Sequence, residues 1–159
     1  EEGIVFNRGT QARRFEGGEE YLLAALARRL QGNSKKMSAF DAFNVAQDHV
    51  MHTARAHVDR TVLEAFIAGI DRCDDPEARR ILEMVCDLYA LSVIEGDKAW
   101  FIEHRLLSTE RAKAVTRGIN ERCRTLRPHA ETLVDAFGIP EQLRDAEMLH
   151  PERLPTPGT

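Results

Sequence analysis

Apolar residues return every three or four positions through most of this 159-residue chain, and that spacing constrains the fold more than any other feature. It places apolar side chains on one face of an α-helix, whereas a half-buried strand needs apolar and polar residues in alternation. The sequence contains no such alternating stretch. The spacing therefore predicts an all-α protein, built as an up-and-down four-helix bundle.

Four helices are predicted from these apolar faces and from their capping residues, over 19–30, 38–73, 76–104 and 109–137. The second is the longest and would extend about 50 Å at 1.5 Å per residue, starting at the N-cap Ser38. The third starts at Pro76 after an aspartate cap. The inner face of the second helix is predicted to consist of Phe43, Ala46, Val50, Ala54, Val58, Val62, Ala65 and Phe66.

The fourth helix contains Pro128, which removes a backbone hydrogen bond and disfavours helical angles at Arg127. We expect a kink there, with both halves lining the same core up to Phe137. Gly138 suits a left-handed helix end, and Pro140 blocks continuation. The predicted organisation is an irregular lead-in over 1–18 from a missing upstream part, a helical bundle over 19–145 and a tail over 146–159.

Charge and cysteine content narrow the possible partners and compartment. A net charge of -4 provides no global attraction for nucleic acid, and no apolar run reaches the roughly 20 residues of a membrane span. The cysteines are three, widely spaced and outside any C-x-x-C pair, which favours free thiols in a reducing compartment. The sequence therefore favours a cytoplasmic protein that binds no nucleic acid.

Histidines and carboxylates give no specific catalytic pattern. His49 and His52 share a helix face and could in principle bind a metal, but di-iron bundles need two Glu-x-x-His repeats. The one such spacing here, Glu147 to His150, precedes Pro151 in a predicted loop. Many glutamates could be imagined as a general base, and a solvated charged face explains nearly all of them. No metal site and no catalytic residue is predicted in this chain.

Several blocks of sequence are specific enough to suggest a family. They are Cys86-Asp87-Leu88-Tyr89-Ala90-Leu91, Trp100-Phe101-Ile102-Glu103-His104, Leu126-Arg127-Pro128-His129-Ala130 and Leu133-Val134-Asp135-Ala136-Phe137-Gly138-Ile139-Pro140. With Arg-Arg-Phe-Glu-Gly-Gly around Phe15, the chain resembles the C-terminal helical domain of acyl-CoA oxidases. The resemblance is to the bacterial members of the acyl-CoA oxidase and dehydrogenase superfamily in particular.

The resemblance implies a parent enzyme that uses FAD to introduce an α,β double bond into an acyl-CoA thioester. A glutamate base removes the α proton, and the electrons pass to oxygen in oxidases or to a protein carrier in dehydrogenases. In the family this base lies upstream, so none is expected here. The resemblance further implies a homodimer in which this domain packs on the upstream catalytic domains, covering the flavin region and the subunit interface, without holding FAD alone.

Five matched positions are candidates for structural or interface roles rather than chemistry: Asp87, Trp100, Arg127, His129 and Asp135. Helix caps, a core anchor and surface ion pairs would account for them. The C-terminal Pro-Gly-Thr differs from a Ser-Lys-Leu peroxisomal address, which again favours the cytoplasm. The alternative interpretation is a free-standing helical module that docks a partner protein through exposed apolar surface.

Overall fold

The computed structural model of the chain describes residues 8–140, and within that range all regular structure is helical, with no strand. The prediction of an all-α fold is confirmed. Its elements are α1 (Arg8–Ser34), α2 (Ala39–Val45), α3 (Gln47–Asp71), α4 (Pro76–Gly96), α5 (Lys98–Glu103), α6 (Thr109–Leu126), a 3₁₀ turn (Arg127–His129) and α7 (Ala130–Asp135). The chain divides into two compact units at the Thr125–Leu126 junction.

Helix α1 begins earlier than the sequence predicts. Residues 8–18 are helical, so the prediction of an irregular lead-in is wrong for them, while residues 1–7 and the predicted tail lie outside the described range. No proline interrupts this segment, and its glycines fit into the helix. Gly18 is buried, and a Cβ atom there would lie 3.8 Å from the rings of both Trp100 and Phe101. These are ordinary van der Waals distances, so Gly18 packs against the two rings and an alanine would also fit there.

The predicted second helix is interrupted at Ala46, which is fully buried and has φ -100° and ψ 6°. No glycine or proline marks this break. Arg29 explains it, because its Nη2 donates to the Val45 carbonyl at 2.8 Å while its Nη1 donates to Asp48 at 3.1 Å. The Arg29 side chain therefore occupies the Val45 carbonyl, which would accept a backbone hydrogen bond in a continuous helix. Helix α3 is consequently about 37 Å long. Ser38 caps α2 as predicted.

Helix α3 turns a different face inward from the one predicted. Its buried residues are Thr53, Asp59, Leu63 and Ile70. Five residues of the predicted inner face are exposed, Phe43 on α2 and Ala54, Val58, Val62 and Ala65 on α3. The error has a physical origin, because the inward face includes polar groups whose hydrogen bonds are made inside the domain.

The core of the first unit lies around α4. Asp75 caps this helix as predicted, since its Oδ1 accepts from the amides of Glu77 and Ala78 at 2.8 and 3.0 Å. Residues from α1, α3, α5 and α6 pack against its apolar side chains. The buried cluster comprises Phe15, Leu63, Ile70, Cys86, Ala90, Leu91, Ile94, Phe101, Leu107, Ala112 and Val115.

The second unit begins with the predicted break at Pro128, where Arg127–His129 forms a 3₁₀ turn. Gly138 adopts the expected left-handed conformation with φ 60°. The prediction that a buried apolar face continues through this unit to Phe137 is wrong. Leu133 is half-buried, while Phe137 is 76% exposed.

Candidate functional site

Trp100 on α5 is the centre of the most elaborate side-chain cluster in the first unit. Its indole stacks on His104 with ring centres 4.5 Å apart, and Phe101 meets it edge-on at 5.3 Å. Tyr21 of α1 and His52 of α3 contact the same indole edge-on at 5.7 and 5.8 Å. One tryptophan therefore joins α1, α3 and α5, and we call these five residues the Trp100 cluster.

Two histidine–carboxylate pairs hold α3 against its neighbours. Nε2 of His52 lies 3.2 Å from Oδ2 of Asp97, which stands between α4 and α5. Nδ1 of His57 lies 2.8 Å from Oε1 of Glu19 on α1, and Arg60 approaches the other oxygen of Glu19 at 2.5 Å. Both carboxylates are thus already engaged by groups of α3.

An open groove of about 530 Å³ runs beside the Trp100 cluster. A recess beneath the indole adds about 20 Å³, which is room for about one water molecule. The groove contains two side-chain pairs that are already formed, the hydrogen-bonded pair of His52 with Asp97 and the ion pair of Arg55 with Asp59. It is lined by Met51, His52, Arg55, Asp59, Ser92, Val93, Gly96 and Asp97.

Asp59 links α3 to α4 from inside the domain. It is 7% exposed, accepts from Tyr89 Oη at 3.1 Å, and accepts from Arg55 Nε at 3.1 Å. Burial, together with the hydrogen bond to Asp59, raises the pKa of Tyr89 to about 12. The neutral phenol is therefore held as a hydrogen-bond donor to the carboxylate.

The five sequence-selected residues do not form one site. Asp87 on α4 pairs with Arg122 on α6 at 3.1 Å, and Trp100 belongs to the cluster described above. Arg127, His129 and Asp135 lie in the second unit, where His129 is half-buried and the other two are exposed. The assignment of all five to structural or interface roles stays a prediction.

Phe101 and His104 stand with Trp100 in one of the blocks that suggest the family, whereas Tyr21 was not singled out from the sequence. No sequence signal connects Tyr21, or Gly18 one helical turn before it on α1, with Trp100. His52 drew attention only through its spacing from His49, whereas the structure pairs it with Asp97. Residue types this common become informative only when the fold brings them together.

The arrangement is suited to holding helices together. Within residues 8–140, no group of three or more histidine, cysteine, aspartate or glutamate side chains is placed to hold a metal ion. No helix in the described part of the chain is long and apolar enough to cross a membrane. The three cysteines are free thiols, with Cys86 buried, Cys73 half-buried and Cys123 exposed.

Comparison with known proteins identifies the kind of domain that this helical arrangement represents. The family model for acyl-CoA oxidase matches residues 16–145. Peroxisomal acyl-coenzyme A oxidase 2 of Arabidopsis thaliana is 34% identical over 125 residues, covering 79% of this chain and 18% of that protein. Peroxisomal acyl-coenzyme A oxidase 1 of Phascolarctos cinereus is 28% identical over 117 residues, covering 73% and 18% respectively.

Solved structures show the same fold. Acyl-CoA oxidase 1 from Yarrowia lipolytica superposes with a TM-score of 0.80 at 20% identity, over 87% of this chain and 20% of that one. Arabidopsis thaliana acyl-CoA oxidase 1 gives 0.77 at 22% identity, over 87% and 21%. The fold is an all-helical domain found within larger oxidoreductases. The chain belongs to the acyl-CoA oxidase family, and it spans about a fifth of the length of the relatives that it matches.

Proposed function

We propose that this chain is the C-terminal helical domain of an FAD-dependent acyl-CoA oxidase that acts in fatty-acid β-oxidation. The parent would introduce a trans double bond between the α and β carbons of an acyl-CoA thioester. The family match supports this reaction class. The role of the domain itself is inferred from the apolar side chains that are exposed on α2 and α3. Such side chains are expected in a domain that packs against other parts of a larger enzyme.

Several large apolar side chains of these two helices are exposed. On α2, Phe40 is 74% exposed and Val45 55%, and on α3, Met51 is 65% exposed and Val58 53%. Exposed apolar side chains that lie together on a surface are typical of an interface. We infer an architectural role, in which the domain covers the flavin region and the subunit interface of a cytoplasmic homodimer. The glutamate base and the acyl-CoA site would then belong to the upstream domains.

The groove beside the Trp100 cluster does not fit FAD. Its carboxylates, Asp59 and Asp97, would repel the anionic pyrophosphate, and the side chains that could donate to a phosphate there, Arg55 and His52, are already engaged by these carboxylates. Flavin sites also need unengaged polar groups that converge on the ligand. In the parent enzyme FAD would accept the hydride from the β carbon, and this domain's residues would support that site from outside.

The proposal can be tested with the parent protein and with this chain alone. The parent should show a flavin absorbance spectrum and should form hydrogen peroxide when an acyl-CoA is added. This chain alone should do neither, because it lacks the expected base and flavin site. Stoichiometric flavin on the isolated chain would contradict the architectural role. An open reading frame that starts next to Glu1 and lacks catalytic domains would favour the interaction module instead.

A further inference from the structure

We propose that Arg14 of α1 and Arg111 of α6 bind a phosphate-type dianion between them. Both residues belong to the first unit. They lie on other helices than the surface of α2 and α3 that the proposed function uses, and nothing in that function requires them. We call these two residues the arginine pair.

The core of the first unit positions the arginine pair. Arg14 directly precedes Phe15, and Arg111 directly precedes Ala112. Phe15 and Ala112 are both members of the buried cluster around α4. The two arginines are half-buried, so each side chain has lost part of its contact with water. A charge in such a place is costly unless an opposite charge or hydrogen-bond acceptors compensate it.

Neither guanidinium has an acceptor in the described part of the chain. Nη1 of Arg14 is buried and has no hydrogen-bond partner there. Arg111 donates its backbone amide to Oγ of Ser108 at 3.3 Å, but no residue of 8–140 accepts from its guanidinium. Because buried N–H groups in folded proteins nearly always have an acceptor, these groups require one.

The other half-buried arginines of residues 8–140 show that such an acceptor is the rule in this domain. Each forms an ion pair with a carboxylate or a hydrogen bond to a backbone carbonyl. The partners are Arg8 with Glu83, Arg29 with Asp48, Arg60 with Glu19, Arg122 with Asp87, and Arg79 with the Cys73 carbonyl. The arginine pair is therefore an exception among the half-buried arginines.

The helices that contain the arginine pair provide no carboxylate to it. On a helix, a side chain meets the residues three and four positions away. None of these neighbours is acidic: they are Thr10, Gln11, Gly17 and Gly18 around Arg14, and Ala114 and Val115 after Arg111. The compensating charge must therefore come from outside these two helices.

The two guanidiniums also repel each other. Burial and the positive charge of Arg111 both lower the pKa of Arg14. Arg111 is the third residue of α6, and the helix dipole opposes a positive charge in the first turn. An anion bound to the arginine pair would cancel the repulsion, and the start of α6 would favour it as well.

The charge of the arginine pair identifies the class of ligand. Two guanidiniums carry two positive charges, which match the two negative charges of a phosphomonoester above its second pKa of about 6. One carboxylate would neutralise only half of that charge. The planar guanidinium also matches phosphate oxygens through paired hydrogen bonds. The ligand is therefore inorganic phosphate or the phosphate group of a larger molecule.

The first test measures the thermal unfolding of this chain with rising inorganic phosphate, at mildly alkaline pH and with sodium chloride holding the ionic strength constant. The melting temperature should rise and saturate, because phosphate would bind only the folded state. Arg14→Gln and Arg111→Gln should each weaken phosphate binding at least about tenfold, since each removes a charged donor. Isothermal titration calorimetry should find one phosphate per chain.

The matched controls remove an exposed positive charge from the same two helices. They are Arg13→Gln on α1 and Lys113→Gln on α6. Both should respond to phosphate like the wild type. Without phosphate, Arg111→Gln should have a higher melting temperature than the wild type, because it relieves the repulsion on Arg14. Should Arg14→Gln fail to fold, as measured by circular dichroism, Arg111→Gln decides the test.

The second test determines the source of the ligand with glycerol phosphate, dimethyl phosphate and acetate at equal ionic strength. Glycerol phosphate has two negative charges, and binding as tight as that of inorganic phosphate would assign the site to the phosphate group of a larger molecule. Weaker binding would assign it to free phosphate. Dimethyl phosphate and acetate have one charge and should stabilise the chain much less.

Three results would overturn the proposal. One is a melting temperature that phosphate leaves unchanged. Another is an equal rise in the wild type and in both glutamine variants, which would show a general salt effect. The third is acetate acting as strongly as phosphate, which would assign the arginine pair to a carboxylate side chain of the parent enzyme. Peroxide formation by the parent is a separate measurement that none of these results changes.

Discussion

Helices α3 and α4 both contain apolar residues at helical spacing, but the fold uses them in opposite ways. From Ile81 to Leu91, no residue of α4 is exposed, and Cys86 and Leu91 are fully buried. In α3 the most regular apolar stripe faces solvent. The spacing of apolar residues therefore shows which face of a helix is apolar. It does not show whether the surface that packs against this face belongs to the same domain.

The inward face of α3 shows why hydropathy alone misassigned it. Thr53 is buried there, with its hydroxyl donating to the His49 carbonyl at 2.8 Å. Asp59 is buried beside it and satisfied by Tyr89 and Arg55. Polar groups cost little when buried with their hydrogen bonds made. A face with such partners can be internal although it is less apolar than the face opposite.

The largest expected effect is on the free energy of unfolding, and it distinguishes α4 from α3 when one apolar side chain of each helix is truncated to alanine. Leu91→Ala should lower the free energy of unfolding by about 2 to 5 kcal/mol, because it leaves a cavity in the core around α4. Val58→Ala, on the exposed face of α3, should change it by no more than about 0.5 kcal/mol in monomeric chain. Urea unfolding at low protein concentration measures both. Similar losses for the two variants would show that the face of α3 that contains Val58 is covered within the monomer.

A smaller effect is expected at the polar interior of α3. Asp59→Ala should destabilise the domain by about 1 to 3 kcal/mol, since it leaves the half-buried Tyr89 hydroxyl without its carboxylate acceptor. Urea unfolding of this variant should be compared with that of Glu64→Ala, which truncates an exposed carboxylate of the same helix. An equal, small effect in both would mean that the inward polar face contributes nothing particular to stability.

The third prediction concerns the pH dependence of the same contact. Tyr89 should ionise near pH 12 in the folded protein, against an ordinary pKa of 10.0, and the difference in ultraviolet absorbance between the wild type and Tyr89→Phe should follow this ionisation. Because the folded pKa is raised, the stability linked to neutral Tyr89 is complete below pH 10. It is then lost as the pH rises toward 12.

Tyr89→Phe provides the control for this titration. Its free energy of unfolding should lack the part of the alkaline decline that comes from Tyr89. Asp59→Asn should bring the pKa of Tyr89 closer to 10.0, because the carboxylate charge that opposes ionisation is removed. A pKa that stays the same in Asp59→Asn would assign the shift to burial alone.

Much of the fold could be predicted from local rules. Ser38 and Asp75 act as helix caps because short polar side chains satisfy the first amides of a helix. The turn at Pro128 and the left-handed Gly138 follow from the backbone limits of those residue types. These features depend on neighbours in sequence, which the sequence displays directly.

The features that could not be predicted depend on distant residues. The break at Ala46 lies where Arg29 of α1 binds the Val45 carbonyl, and Gly18 of α1 packs against Trp100 on α5. The Trp100 cluster joins three helices, and its His52 is bonded to Asp97, which is distant in sequence. Tertiary contacts decide each case, and no local pattern records them.

The spacing of the exposed residues on α3 also has a geometric consequence. Met51, Val58 and Ala65 are exposed and lie seven residues apart. A straight α-helix has 3.6 residues per turn, so positions that repeat every seven residues drift around it by about 20° per heptad. A helix that stayed in contact with all three residues would therefore have to wind around α3 with a left-handed superhelical sense.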